Sequence, residues 1–274
     1  MLPIRVLDDN GSGSTNGVAR GIRYAVDNGA DIINLSIGAE RSNRRMRNAV
    51  RYAESNGVLI VAASGNESEN VPNYPAAYSS TFDNVISVGA FDRELEIASF
   101  SNFVGTSRAV QVDAPGVSIY STVEDGSYAT FSGTSMSTPF LSGVAALALS
   151  ADPTITAIDL RTAIVAASTL DIAGSDSQGG INASTLVATL APLEADVEPN
   201  DAQEEQPIVA ETMIIVDLDG DGQVAFSDFL VLSNNFGQTG EAVEGDIDGD
   251  GVVGFSDFLL LSDVFGAVSV VYPA

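Results

Sequence analysis

Two sets of residues in this chain could do chemistry. The first centres on Ser135, in GTSMSTPF at residues 133–140, where small neighbours surround a hydroxyl at the mouth of an apolar helical run. A helix start offers backbone N–H groups without intrahelical partners and the positive end of the dipole, both of which favour the oxyanion of acyl transfer. The chain has no histidine, so the usual acceptor of a serine proton is absent from it. The second set is a pair of acidic loops, each opening on DxDGDG with a further Asp at the twelfth position: Asp217, Asp219, Asp221 and Asp228, then Asp246, Asp248, Asp250 and Asp257. Carboxylates at loop positions one, three and five converge on one point, and glycine at six permits the sharp turn. The carbonyl at seven, Gln223 or Val252, completes a ring of hard oxygen ligands suited to calcium. Without His or Cys the loops do not suit zinc or copper.

The simpler readings are a helix-capping serine and a solvated acidic turn. The second explains one loop but not two with the same spacing. Residues 217–237 and 246–266 start 29 residues apart and agree at 15 of 21 positions, so they are two copies of one unit.

The rest of the composition sets limits. With 274 residues and 45% hydrophobic content the chain can bury a real core. Its 37 acidic residues oppose 11 basic ones, all arginine, the last being Arg161. Such a surface repels nucleic acid and acidic membranes and favours cations. Absence of cysteine removes disulfides and thiolate metal sites, and no apolar run is long enough for a membrane span. The opening LPIRVL, residues 2–7, reads as a buried strand with no approach segment, which suggests polypeptide upstream of Met1.

Strand signals recur at 31–35, 58–63, 85–90 and 110–112. Helical patterns occupy 14–28, 44–56, the run opened by GTSMSTP, and 156–167. Strands apolar on both faces and separated by amphipathic helices predict an α/β fold with a parallel sheet covered on both sides. Residues 191–213 hold three prolines and seven acidic residues with no basic one, the composition of a self-repelling linker. Residues 214–274 follow as a separate small module. Its Phe226, Phe229, Leu230, Leu232 and Phe236, with Phe255, Phe258, Leu259, Leu261 and Phe265, are expected to form a shared core for two short helices.

The order INLSIG, AASGN, YPAAY, ASFSN, DAPGVSI and GTSMSTP, from residue 33 to residue 139, resembles that of subtilisin-like serine proteases. The resemblance covers about residues 1–190. It implies a partial doubly wound parallel sheet of the subtilisin type and peptide-bond hydrolysis through a Ser135 acyl-enzyme. Asn66 would donate its amide to the oxyanion beside the Ser135 N–H, and Ser36, Ile37, Gly38, Ser64 and Gly65 would line the cleft. Pro139 is expected in the first helical turn, where its missing N–H costs nothing. The Asp and His motifs that precede the serine in that family do not occur here, so the chain alone is expected to be inactive. The alternative is a non-catalytic calcium-binding scaffold derived from a protease.

The paired loops, each followed by one helix, resemble a dockerin type I module. That likeness implies two calcium ions and a face for a cohesin-like protein partner, with a calcium-stapled tail as the alternative. Together the two resemblances imply an extracellular or cell-surface protein acting on protein or peptide substrates.

Overall fold

The computed structural model describes residues 1–123, 126–190, 218, 226–235, 238–240, 243–249, 251–254, 257, 258, 260 and 261. The chain divides into two compact units, Met1–Ala195 and Asp196–Ala274. The expected linker, 191–213, lies outside the described residues.

The first unit is built on four parallel strands in the order β1 (Ile32–Leu35), β2 (Leu59–Ala63), β3 (Val85–Phe91) and β4 (Gln111–Pro115). Every residue of β2 and β3 is buried, as strands covered on both faces must be. Alternation along them divides the core in two. Ile60 and Ala62 meet helices α1 (Thr15–Asp27) and α2 (Arg44–Ser55), whereas Leu59, Val61, Ile86 and Val88 meet α3 (Thr134–Ala151), α4 (Ala157–Ala166) and α5 (Ala183–Leu190). Local chemistry sets the helix ends. Ser14, Asn43 and Thr156 each accept a backbone N–H from inside the first turn of α1, α2 and α4, satisfying donors that lack intrahelical partners.

Three features depart from the sequence pattern. Residues 2–7 carry strand composition but form no strand: Ile4 and Val6 pack against the core of α1, and no backbone–backbone bond ties residues 1–7 to β1 among the described residues. A strand needs a neighbour, and composition cannot supply one. The antiparallel pair β5 (Ile119–Thr122) and β6 (Tyr128–Phe131) was not legible because its residues are largely exposed, and α5 is only 8 residues long. No helix of the described residues is long and apolar enough to cross a membrane.

Asp113 on β4 is fully buried, and its Oδ2 accepts hydrogen bonds from Ser175 Oγ at 2.5 Å and Ser177 Oγ at 2.7 Å. Burial pushes its carboxyl above the ordinary range, against these hydroxyls, which favour the charged form. A raised carboxyl binds its proton more tightly in the folded state. The contribution of Asp113 to stability therefore falls as pH rises from about 4, the unfolded value, through the folded value.

In the second unit α6 (Phe226–Asn235) follows the first acidic loop, and residues 257, 258, 260 and 261 of the second copy are helical. Leu232, Ile247, Val253 and Leu261 are buried together, and the Phe229 and Phe258 rings meet edge to face at 6.1 Å. The expected core positions Phe236, Phe255, Leu259 and Phe265 lie outside the described residues, as do the side chains of Phe226 and Leu230.

Asp113→Asn is expected to flatten the decline in stability above pH 4. Urea midpoints at pH 4 and pH 7 check this, and an unchanged pH slope would show that the Asp113 carboxyl is not raised.

Candidate active site

Parallel strands end at one edge of the sheet, and in α/β folds that carboxyl edge is where ligands bind. β1 ends at Leu35 and β2 at Ala63, with Leu35 in register with Ala62, so Ser36 and the loop 64–67 emerge side by side. α3 begins at the same edge, capped by Gly133 with no side-chain cap bond. Ser135 is therefore the second residue of the helix. Its hydroxyl does not cap: Oγ donates to the Ser36 carbonyl at 3.3 Å.

The reverse bond is stronger. Ser36 Oγ donates to the Ser135 carbonyl at 2.8 Å. That carbonyl is available because of Pro139, which stands inside α3 and not in its first turn as the sequence suggested. An α-helix pairs the N–H of residue 139 with the carbonyl of 135, and proline has none to offer. The carbonyl freed by Pro139 thus becomes the anchor that fixes Ser135 to the end of β1.

Asn66 is exposed and reaches the same helix start. Its Oδ1 accepts Thr134 N–H at 2.8 Å and Thr134 Oγ1–H at 3.0 Å, and Thr134 Oγ1 in turn accepts Gly65 N–H at 3.3 Å. These bonds orient the amide and leave Nδ2 with no partner among the described residues. Within the first turn, Thr134 N–H is taken by Asn66, while Met136 and Ser137 N–H are taken by Gly133 O. The Ser135 N–H has no partner among the described residues. A hydroxyl, a free backbone N–H and a free amide N–H thus share one helix start.

The loop holding Asn66 is over-determined. Buried Asn102 accepts Glu67 N–H at 3.0 Å and Glu69 N–H at 2.9 Å through Oδ1; its Nδ2 donates to the Ser64 carbonyl at 3.1 Å and Glu67 Oε2 at 2.9 Å. Glu67 Oε2 also accepts Asn66 N–H at 3.0 Å and Asn73 Nδ2 at 2.9 Å. Gly65 has φ +117, and a Cβ there would lie 2.2 Å from Asn102 Nδ2, so only glycine fits. Asn102 closes the ASFSN motif, and nothing in the motif itself assigns it a role. Its position after a Ser-Phe-Ser turn carried no signal that it would cross to the Asn66 loop.

Of the residues expected to line the cleft, Ser36 and Ile37 are half-buried and Gly38 is exposed. Ser64 and Gly65 are buried. Ser64 continues the fully buried β2 inward, and its Oγ donates to the Asn102 carbonyl at 3.3 Å, so it supports the loop from beneath. Gly38 backs onto Asn73, and Ala39 and Tyr74 exchange two backbone bonds of 2.8 Å, closing that side.

In the second unit, Asp246, Asp248 and Asp257 each bring a carboxylate oxygen to within 4.8 Å of the others. Asp257 is fully buried; its Oδ1 accepts Ile247 and Asp248 N–H, and its Oδ2 accepts Gly254 N–H at 2.7 Å. Asp228 repeats this at the matching position of the first copy, taking Leu218 N–H at 2.6 Å. Gly251, sixth in the loop, has φ +88, and Val252 bridges to Thr239. Asp217, Asp219, Asp221, Gln223 and Asp250 lie outside the described residues.

The arrangement is a parallel α/β sheet with a serine and N–H donors, unpartnered among the described residues, at the start of one helix. The model of the subtilase family matches residues 1–191, and the chain belongs to that family. It is similar to thermitase of Thermoactinomyces vulgaris, 46% identical over 147 residues, which are 54% of this chain and 50% of thermitase. Subtilisin DY of Bacillus licheniformis is 41% identical over 173 residues, 62% of this chain and 61% of that protein. Among solved structures, the prenylagaramide maturation protease PagA superposes with a TM-score of 0.60 at 30% identity, covering 67% of this chain and 70% of PagA. The chain thus spans about half to six-tenths of the length of these curated relatives.

Asn102→Ala is expected to destabilise the first unit by about 2–4 kcal/mol, since it leaves two loop N–H groups and a buried carbonyl without partners. Urea denaturation with hydrogen exchange at the Glu67 and Glu69 amides checks this; unchanged exchange there would mean that the loop is held by other contacts.

Proposed function

We propose that residues 1–190 carry the nucleophile and oxyanion donors of a subtilisin-type serine endopeptidase, and that an Asp and a His supplied from outside this chain complete it. The observation that carries this reading is that the Ser135 hydroxyl shares the start of α3 with the Ser135 N–H and Asn66 Nδ2, neither of which has a partner among the described residues. In the reaction, Ser135 Oγ attacks the scissile carbonyl while its proton passes to the added base. The oxyanion that forms accepts hydrogen bonds from Ser135 N–H and Asn66 Nδ2, and water later hydrolyses the acyl-enzyme. Without the base, Ser135 Oγ keeps its proton in the bond to the Ser36 carbonyl, and the chain alone is inactive. Substrates are proteins or peptides.

The second half of the reading concerns the tail. Residues 214–274 form a dockerin-like module that binds two calcium ions, joined to the protease part through residues 191–213. The three described carboxylates of the second loop fit such an ion: oxygens about 2.3–2.6 Å from one calcium lie within roughly 5 Å of one another. Calcium supplies charge neutralisation, without which converged carboxylates repel. The module stabilises or tethers the protease outside the cell, with a cohesin-like protein as the partner of the tethering role.

Imidazole added in solution can stand in for the absent base. With it, a fluorophosphonate is expected to label Ser135 in the 274-residue chain; without it, labelling is negligible. Asn66→Ala should slow the labelling by about 10²–10³, the loss known for removing such a donor in subtilisin, a relative of this chain. Equal labelling of Asn66→Ala and the parent chain would end the oxyanion assignment.

Calcium titration followed by circular dichroism tests the tail. Helical signal is expected to rise on binding and to fall on chelation, with Asp257→Ala losing one of the two binding events. A signal indifferent to calcium would remove the metal from the account.

A further inference from the structure

A line of polar side chains leads from within α3 back to the nucleophile. Ser142 Oγ donates to Asn34 Oδ1 at 2.9 Å, Asn34 Nδ2 donates to Ser36 Oγ at 3.1 Å, and Ser36 Oγ donates to the Ser135 carbonyl at 2.8 Å. Ser142 lies about two turns beyond Ser135 on α3, and Asn34 stands on β1, so the bonds close a ring across two elements.

The direction of each bond matters because a hydroxyl has one proton to give. Ser142 Oγ is also 3.0 Å from the Thr138 carbonyl, one turn back on the helix. If the Asn34 amide were inverted, Oδ1 would take the Ser36 proton and Nδ2 would donate to Ser142 Oγ, whose own proton would pass to Thr138 O. That arrangement takes the Ser36 hydroxyl away from the Ser135 carbonyl, to which Pro139 offers no helical N–H. The orientation in the structure serves that carbonyl instead. Ser142 holds the oxygen end of the amide, the nitrogen end saturates a lone pair of Ser36 Oγ, and the Ser36 proton is left for Ser135.

We propose that Asn34 and Ser142 are positioning residues for the nucleophile: by fixing the direction of the Ser36 hydroxyl they hold the Ser135 backbone, and with it Oγ, at the end of β1. Each acts through Ser36. The catalytic consequence rests on the endopeptidase reading, whereas the bond directions rest on the geometry alone. An isosteric replacement separates this role from packing. Asp at position 34 keeps the size and shape of Asn but offers only acceptors at pH 7, so the Ser36 proton turns to the carboxylate in a charge-assisted bond and leaves the Ser135 carbonyl. Ala at position 34 removes the donor and adds no rival acceptor. The relay therefore makes Asn34→Asp more harmful than Asn34→Ala, the reverse of what lost packing gives. Asn34 is exposed, so both variants are compatible with the fold.

The test uses the 274-residue chain and two readouts. Met136 is the only methionine that follows a serine, so carbonyl-13C serine combined with 15N methionine marks the Ser135 carbonyl alone. Asn34→Asp is expected to move that resonance to where Ser36→Ala puts it, and Asn34→Ala to leave it near the parent position. In imidazole-assisted fluorophosphonate labelling, Asn34→Asp is expected to slow reaction at Ser135 about tenfold, Ser142→Ala about threefold and Asn34→Ala about twofold, while Ser142→Thr, which keeps the hydroxyl, restores the rate. In a Ser36→Ala background, Asn34→Asp and Ser142→Ala are expected to add nothing. A slowing by Asn34→Asp that persists there is the through-space effect of an added charge and overturns the relay, as does an Asn34→Asp carbonyl resonance equal to the parent's. Failure of the endopeptidase reading looks different: the parent chain goes unlabelled while the carbonyl resonances follow the expected order, which supports the bond directions and withdraws the catalytic reading alone.

Discussion

Burial of β2 and β3 on both faces is the constraint from which the rest of this molecule follows. Strands covered by helices on both sides are joined by crossovers, so they run parallel and end at one edge. The consequence is spatial. Ser36 after β1 and Asn66 after β2 arrive at the same rim, and α3, packed against the opposite face of the sheet, brings Ser135 to them. Residues separated by up to 99 positions in the chain become hydrogen-bonded neighbours without any local sequence relation between them.

Within that frame the site is held by backbone groups made available by particular residues. Pro139 withholds a donor from the Ser135 carbonyl, and the Ser36 hydroxyl takes it. Thr134 engages the oxygen end of the Asn66 amide, and its nitrogen end has no partner among the described residues. Asn102 spends all four of its polar capacities on the loop that presents Asn66. Each arrangement fixes polar groups in place within the folded chain, and under the endopeptidase reading that is preorganisation for developing charge.

Much of this could be read without coordinates. The alternation of two-faced apolar strands with amphipathic helices located β1 to β4 and α1 to α4 to within a few residues, because those signals are set by burial and by caps such as Ser14 and Asn43. The co-ordered motifs singled out Ser135 and Asn66, which the structure brings to one helix start. Other features resisted. Residues 2–7 have every local property of a strand yet lack a partner; Ser64 reads as a loop residue yet is interior; and Pro139 falls one turn deeper in α3 than its motif suggested.

The sequence by itself determined the resemblance to a family, the candidates Ser135 and Asn66 for nucleophile and oxyanion donor, and the twofold repeat of acidic loops, since these depend on residue type and spacing alone. Only the tertiary structure decided that Ser135 and Ser36 exchange hydrogen bonds, that Asn102 braces the Asn66 loop, and that Asn34 links Ser142 to Ser36. The reason is physical: hydrogen bonding between distant segments depends on how strands and helices pack in space, and no local pattern of residues encodes that distance.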